Sequence, residues 1–118
     1  MSDKSDETGA LDGRVLDELF AVIDSRKGGD PKASYTAKLL AGGVETIGAK
    51  VTEEAAETVL AGVSEDAKRL ASESADLLYH LLVLWAARGL APEAVWAALD
   101  ARRGTSGLAE KAARKIQK

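Results

Sequence analysis

Apolar residues recur at every third or fourth position along most of this chain, and glycine and proline separate the runs. Leu11, Val15, Leu19 and Ile23 fall four apart, with Leu16 and Phe20 widening the stripe, so a first helix is predicted over about 11–25. The stretch RKGGDP stops it, and Pro31 opens a shorter segment around 34–41. Gly42-Gly43 ends that piece, and a third helix is predicted from Val44 to about Ala61, with Gly62 as its stop. Ser64 is the candidate N-cap of a fourth helix, with Glu65 and Asp66 in its first turn, where the helix dipole favours negative charge. That helix runs to Arg88, with Gly89 behind it, and Pro92 suits the first turn of a fifth helix reaching Arg103. Residues 1–10 read as a disordered polar tail, which leaves a single domain over 11–118. The pattern is all-α, a bundle of about five helices.

The fourth helix is apolar in nearly every direction from Ser74 to Ala87. Such a helix must be covered on all sides, and a chain of 118 residues has few helices to do it. A homodimer that completes the bundle is therefore expected, against the alternative of a monomer with this helix at its centre.

Composition removes several kinds of chemistry. There are no cysteines, hence no disulfide, thiolate zinc site or cysteine nucleophile, and one histidine excludes a multi-histidine metal site within one chain. A net charge of -3 argues against a nucleic-acid binder driven by overall charge. No apolar run is long enough to span a membrane, and the polar amino terminus lacks the apolar segment of a secretory signal, so a cytoplasmic location is expected. Carboxylates, a few cations and hydroxyls remain. Any metal here would be a hard, oxygen-seeking ion such as Mg²⁺.

Two acidic clusters stand out. In KVTEEAAE, Lys50, Glu54 and Glu57 lie within about 60° of one another on a helix, and Glu53 falls just beyond Glu57 on the same side. Alone, this could be a solvated face. In ESADLLYH, Glu73, Asp76 and His80 share a face, and Asp76 sits inside an otherwise apolar segment, where an unpaired carboxylate is costly. A partner, cation or metal, is expected for Asp76; His80 alone is more often a hydrogen-bonded core residue than a ligand. Glu-x-x-Glu and Glu-x-x-Asp on antiparallel helices would converge, and divalent cations relieve the resulting repulsion. Metal held by carboxylates commonly serves phosphates.

These residues resemble the signature of the all-α nucleoside triphosphate pyrophosphohydrolases: Glu-x-x-Glu, a spacer, then Glu-x-x-Asp. It reads here as Glu54, Glu57, Glu73 and Asp76 with fifteen residues in the spacer. SYTAKLL at 34–40, KVTEEAAE at 50–57, ESADLLYHLLVL at 73–84 and RRGTSGLAEKAARK at 102–115 narrow the resemblance to the phosphoribosyl-ATP pyrophosphohydrolase family.

The resemblance implies a Mg²⁺-dependent hydrolysis of 1-(5-phosphoribosyl)-ATP to 1-(5-phosphoribosyl)-AMP and pyrophosphate, the second step of histidine biosynthesis. Glu54, Glu57, Glu73 and Asp76 would hold Mg²⁺, and Glu53 or Glu54 would be the general base. Lys50 is placed to meet a phosphate. Ser34, Tyr35, Thr36 and Lys38 either cap a short helix or contact substrate. Arg102, Arg103 and Lys111 are either ordinary helix cations or, with Ser106 in the GTSG loop, phosphate contacts. Tyr79 and His80 fit a structural role, and Trp85 and Trp96 core or interface packing. The family's fused cyclohydrolase domain is not expected at this length, which implies a separate phosphoribosyl-AMP cyclohydrolase in the cell.

Two alternatives stay open. A housekeeping nucleoside triphosphate pyrophosphohydrolase would share the metal motif, but SYTAKLL and the carboxy-terminal segment argue for the histidine enzyme. A non-catalytic helical dimerisation module would explain the apolar fourth helix and leave Asp76 without a reason.

Overall fold

A computed structural model describes residues 11–104 together with Lys111 and Arg114. Four helices follow one another with no strand among the described residues: α1 (Arg14–Asp24), α2 (Tyr35–Ser64), α3 (Ala67–Arg88) and α4 (Pro92–Asp100). The all-α class is as the sequence indicates. The expected tail at 1–10 and the GTSG loop with Ser106 lie outside the described residues.

Each start has a local cause. The Asp12 carboxylate accepts from the Arg14 amide at 2.9 Å and also binds its guanidinium, which settles the entry to α1 three residues later than the apolar spacing indicates. Ser34, in extended conformation, accepts from the Ala37 amide and caps α2. The α3 cap is Asp66, accepting from Arg69 N at 2.9 Å, and not Ser64. Ser64 instead closes α2, its hydroxyl donating to the Leu60 carbonyl, so neither Glu65 nor Asp66 lies within the first turn. Gly62 does not stop α2 either. It sits inside the helix where α3 passes close, with Leu70 Cδ1 3.7 Å from where a Cβ would stand. Gly89 ends α3 in left-handed conformation, φ 70°, and Pro92 opens α4, which ends at Asp100 and passes into a turn that includes Arg103.

The expected break at Gly42-Gly43 is real, and it divides α2 into two helical arms. Gly43 has φ 90° and ψ 171°, a region open essentially to glycine alone. A Cβ there would meet nothing within 4 Å, so the demand comes from the backbone and not from packing. Gly43→Ala should therefore lower stability by about 1–3 kcal/mol in denaturant titration. A neutral result would mean that α2 runs straight through the break.

α2 and α3 form an antiparallel hairpin. The pairs Gly62–Leu70, Thr58–Glu73 and Tyr35–His80 run in opposite directions along the two helices. Ile47, Leu82, Val83 and Ala86 pack between them, with Ile23 from α1 and Leu39 from the first arm of α2. Trp85 and Trp96 meet edge to face at 5.9 Å, and Trp96 Nε1 donates to Asp17, which ties α4 to α1. Both tryptophans thus pack within the helices, as expected. Among the described residues no single helix is long and apolar enough to cross a membrane.

The core of one chain is small. Besides Pro92, only eight apolar residues among those described are buried, while Val59, Leu60 and Val63 on α2 stand 64%, 57% and 82% exposed. On α3, which the pattern expected to be covered all round, Leu70 and Leu78 are also exposed.

Candidate metal centre

The α2–α3 hairpin brings Glu54, Glu57 and Glu73 together, with one carboxylate oxygen of each within 4.8 Å of the others. Within each motif the first acid points inward and the second lies at the rim. Glu54 and Glu73 are 8% and 6% exposed, whereas Glu57 and Asp76 are exposed. The helical repeat explains this: residues three apart are rotated by about 60°, enough to carry the second acid from the helix interface to its edge.

Asp76 is thus a correction to the sequence reading. Its carboxylate is exposed in the single chain, is not a member of the close trio, and needs no buried partner. The buried acid is Glu73. One of its oxygens accepts from the Arg69 guanidinium at 2.6 Å. The other, Oε1, is buried without a hydrogen-bond partner. Burial pushes the Glu73 carboxyl above the ordinary 4.5, Arg69 pulls it back, and the negative charges of Glu57 and Asp76 push it further up.

A buried carboxylate with one unpaired oxygen, grouped with two more carboxylates, suits a hard divalent cation. Oxygen ligands only, no thiolate and no imidazole in the trio: the residues fit Mg²⁺. Thr58 sets the spacing. Its hydroxyl lies 2.8 Å from the Glu54 carbonyl and 3.1 Å from the Glu73 carbonyl, so one proton is shared between the two helices at the level of the inner acids.

The other sequence candidates fall into three groups. Lys50 is one turn before Glu54, its Nζ 3.2 Å from Glu53 and 3.7 Å from Glu54. Its hydrogen bond with Glu53 is the leading cause that holds the ammonium above its usual range. Glu53, half exposed and on Lys50, stands beside the trio and outside it. Tyr35, Lys38 and Lys50 line one groove of about 560 Å³ together with Pro31, Gly42 and Thr46. Ser34 is not in that lining; its hydroxyl is occupied by the α2 cap.

Arg102, Arg103 and Lys111 are all exposed, and the Arg103 guanidinium is turned onto Asp100 in its own turn. Ser106 lies outside the described residues.

Beginning at Tyr35 on the groove wall, Tyr35, Thr36, Tyr79 and the buried His80 form a part-buried polar knot. His80 Nδ1 donates to the Asp76 carbonyl at 2.8 Å, which leaves Nε2 to accept from the Tyr35 hydroxyl at 3.1 Å. Thr36 and Tyr79 join through their hydroxyls. The knot pins the first arm of α2 to α3 and gives His80 and Tyr79 the structural role expected for them. Sequence reading passed over Arg69 and Thr58. The i,i+4 spacing of Arg69 and Glu73 was a usable signal; nothing in the sequence marks Thr58 as bridging two helices.

Comparison with known proteins agrees with this geometry. The profile of the family described as phosphoribosyl-ATP pyrophosphohydrolase matches residues 16–103. A protein named phosphoribosyl-ATP pyrophosphatase from Azospirillum brasilense is 58% identical over 105 residues, covering 89% of this chain and 95% of the relative. Relatives of the same name from Paramagnetospirillum magneticum and Trichlorobacter lovleyi are each 57% identical, the first over 89% of this chain and 96% of its own length, the second over 86% and 94%. With Glu54, Glu57 and Glu73 brought together across the hairpin and this match over most of its length, the chain belongs to the phosphoribosyl-ATP pyrophosphohydrolase family.

Proposed function

We propose that this chain hydrolyses 1-(5-phosphoribosyl)-ATP between the α and β phosphorus atoms, giving 1-(5-phosphoribosyl)-AMP and pyrophosphate in histidine biosynthesis. The observation that carries the reading is the trio of Glu54, Glu57 and Glu73, in which one Glu73 oxygen is buried and unpartnered, in a chain of this family. Glu54, Glu57 and Glu73, with the rim carboxylate of Asp76, would hold Mg²⁺. When bound, Mg²⁺ supplies charge neutralisation for the triphosphate oxygens and acidifies a coordinated water.

The chain's own residues do the rest. Lys50 offers an ammonium that stays protonated throughout the neutral range and can meet a phosphate on leaving Glu53. That departure frees Glu53 to accept a proton from the attacking water, with Glu54 as the other candidate base. The groove lined by Tyr35 and Lys38 leads to Lys50 and has the apolar walls and single aromatic ring that suit a base and ribose phosphate. Arg102, Arg103, Ser106 and Lys111 are assigned to the outer phosphates, where the carboxy-terminal segment would approach the substrate.

The working unit is a homodimer in which a second copy of the chain covers Val59, Leu60, Val63, Leu70 and Leu78. A single domain over 11–118 and a cytoplasmic location complete the reading. Incubated with phosphoribosyl-ATP and Mg²⁺, the protein should release pyrophosphate and act poorly on ATP or deoxynucleotides. Stepwise orthophosphate release would refute the assigned bond, and equal activity on ordinary nucleotides would favour the housekeeping alternative.

A further inference from the structure

Arg69 is bonded to an acid of the carboxylate trio. Its guanidinium reaches along α3 to Glu73 at 2.6 Å, while its Nε stays 3.3 Å from Glu65 on the preceding turn. The Arg69 side chain is 57% exposed, whereas the Glu73 side chain is 7% exposed. A largely exposed cation is therefore bonded to the most buried acid of the trio, and that acid keeps its second oxygen unpaired.

We infer that Arg69 is a resident counter-ion that a divalent cation must displace from Glu73, so that it raises the metal concentration at which the site fills. The inference rests on the reading that Glu54, Glu57 and Glu73 hold such an ion. In the metal-free protein Arg69 supplies the positive charge that the trio lacks. An incoming ion meets an oxygen already donated to and a like charge beside it. Arg69 need not be stranded when it leaves, because Glu65 already holds its other edge. The pair is a two-position latch on one helix face, Glu65–Arg69–Glu73 at successive i,i+4 steps.

Arg69→Met keeps an unbranched, flexible stem in place of the arginine methylenes and removes the competing guanidinium. Titrated with Mn²⁺ alone, with free ion read by electron paramagnetic resonance, this variant should bind roughly three- to tenfold more tightly than the wild type, the range of one partly screened ion pair. Lys68→Met removes the same formal charge from the neighbouring exposed position and should change the affinity by less than about twofold. Equal or weaker binding by Arg69→Met would overturn the inference, as would an equal gain in Lys68→Met, which would reduce the effect to net charge. Wild type and Arg69→Met both failing to bind Mn²⁺ would overturn the metal reading itself and the latch with it. Binding by Arg69→Met in the absence of wild-type binding is the strongest supporting result.

Discussion

Glu73→Gln should melt at a higher temperature than the wild type in EDTA, lose the stabilisation that Mg²⁺ gives the wild type, and fall in activity by about two to three orders of magnitude. Glutamine preserves the shape of the side chain and an oxygen to accept from Arg69, so the change isolates charge. Burial and the charges of Glu57 and Asp76 outweigh Arg69 and hold the Glu73 carboxyl above 4.5, which means that the folded protein disfavours its ionised form. Removing that charge relieves the apo protein. The sign with pH follows from the same shift. Below 4.5 the group is protonated in folded and unfolded chains alike, and the wild type is not penalised. As pH rises, the unfolded chain releases the proton first, and wild-type stability declines until Glu73 itself ionises. The advantage of Glu73→Gln in EDTA should therefore be absent in acid and full at neutral pH. If Glu73 served only to pair with Arg69, the variant would melt lower in EDTA and Mg²⁺ would shift neither protein.

A second large effect is expected on assembly. Replacing both Val59 and Val63 with Asp should convert a two-chain particle into a single chain in light scattering, with helical content retained. Within one chain these side chains are 64% and 82% exposed, so aspartate there disturbs no packing of its own subunit. Across an interface, losing two valines forfeits about 3–6 kcal/mol of burial, which raises the dimer dissociation constant by roughly two to four orders of magnitude. A variant that stays dimeric would place the interface elsewhere. A wild type that is monomeric at micromolar concentration would remove the homodimer.

The parts of the fold legible in sequence were those written in period and punctuation. The apolar repeat of α1, the break at Gly43, the stop at Gly89 and the proline start of α4 all depend on neighbours within one turn. The α2–α3 turn misled for a physical reason. Ser64 and Asp66 are both competent caps, and the choice between them depends on how far α2 continues past Gly62, which the helix accommodates without a break. The acids of the site were legible as a set but not by depth. Periodicity places Glu73, Asp76 and His80 on one face, yet Glu73 and His80 lie about 20° apart while Asp76 is about 60° to the side of Glu73. Which of these directions meets α2 is tertiary information, and it makes Glu73 the buried acid and leaves Asp76 at the rim.

Thr58 separates two properties that metal sites often bind together. The hydroxyl ties main-chain oxygens at 54 and 73 and touches no carboxylate. The bridge between the two helices at this level thus runs from backbone to backbone, and it does not depend on which side chains stand at 54 and 73. An ancestor could exchange an acid, a neighbouring base or a rim residue without losing the frame that holds the others. A scaffold of this kind permits its substrate chemistry to drift under selection while the spacing of its ligands stays constant.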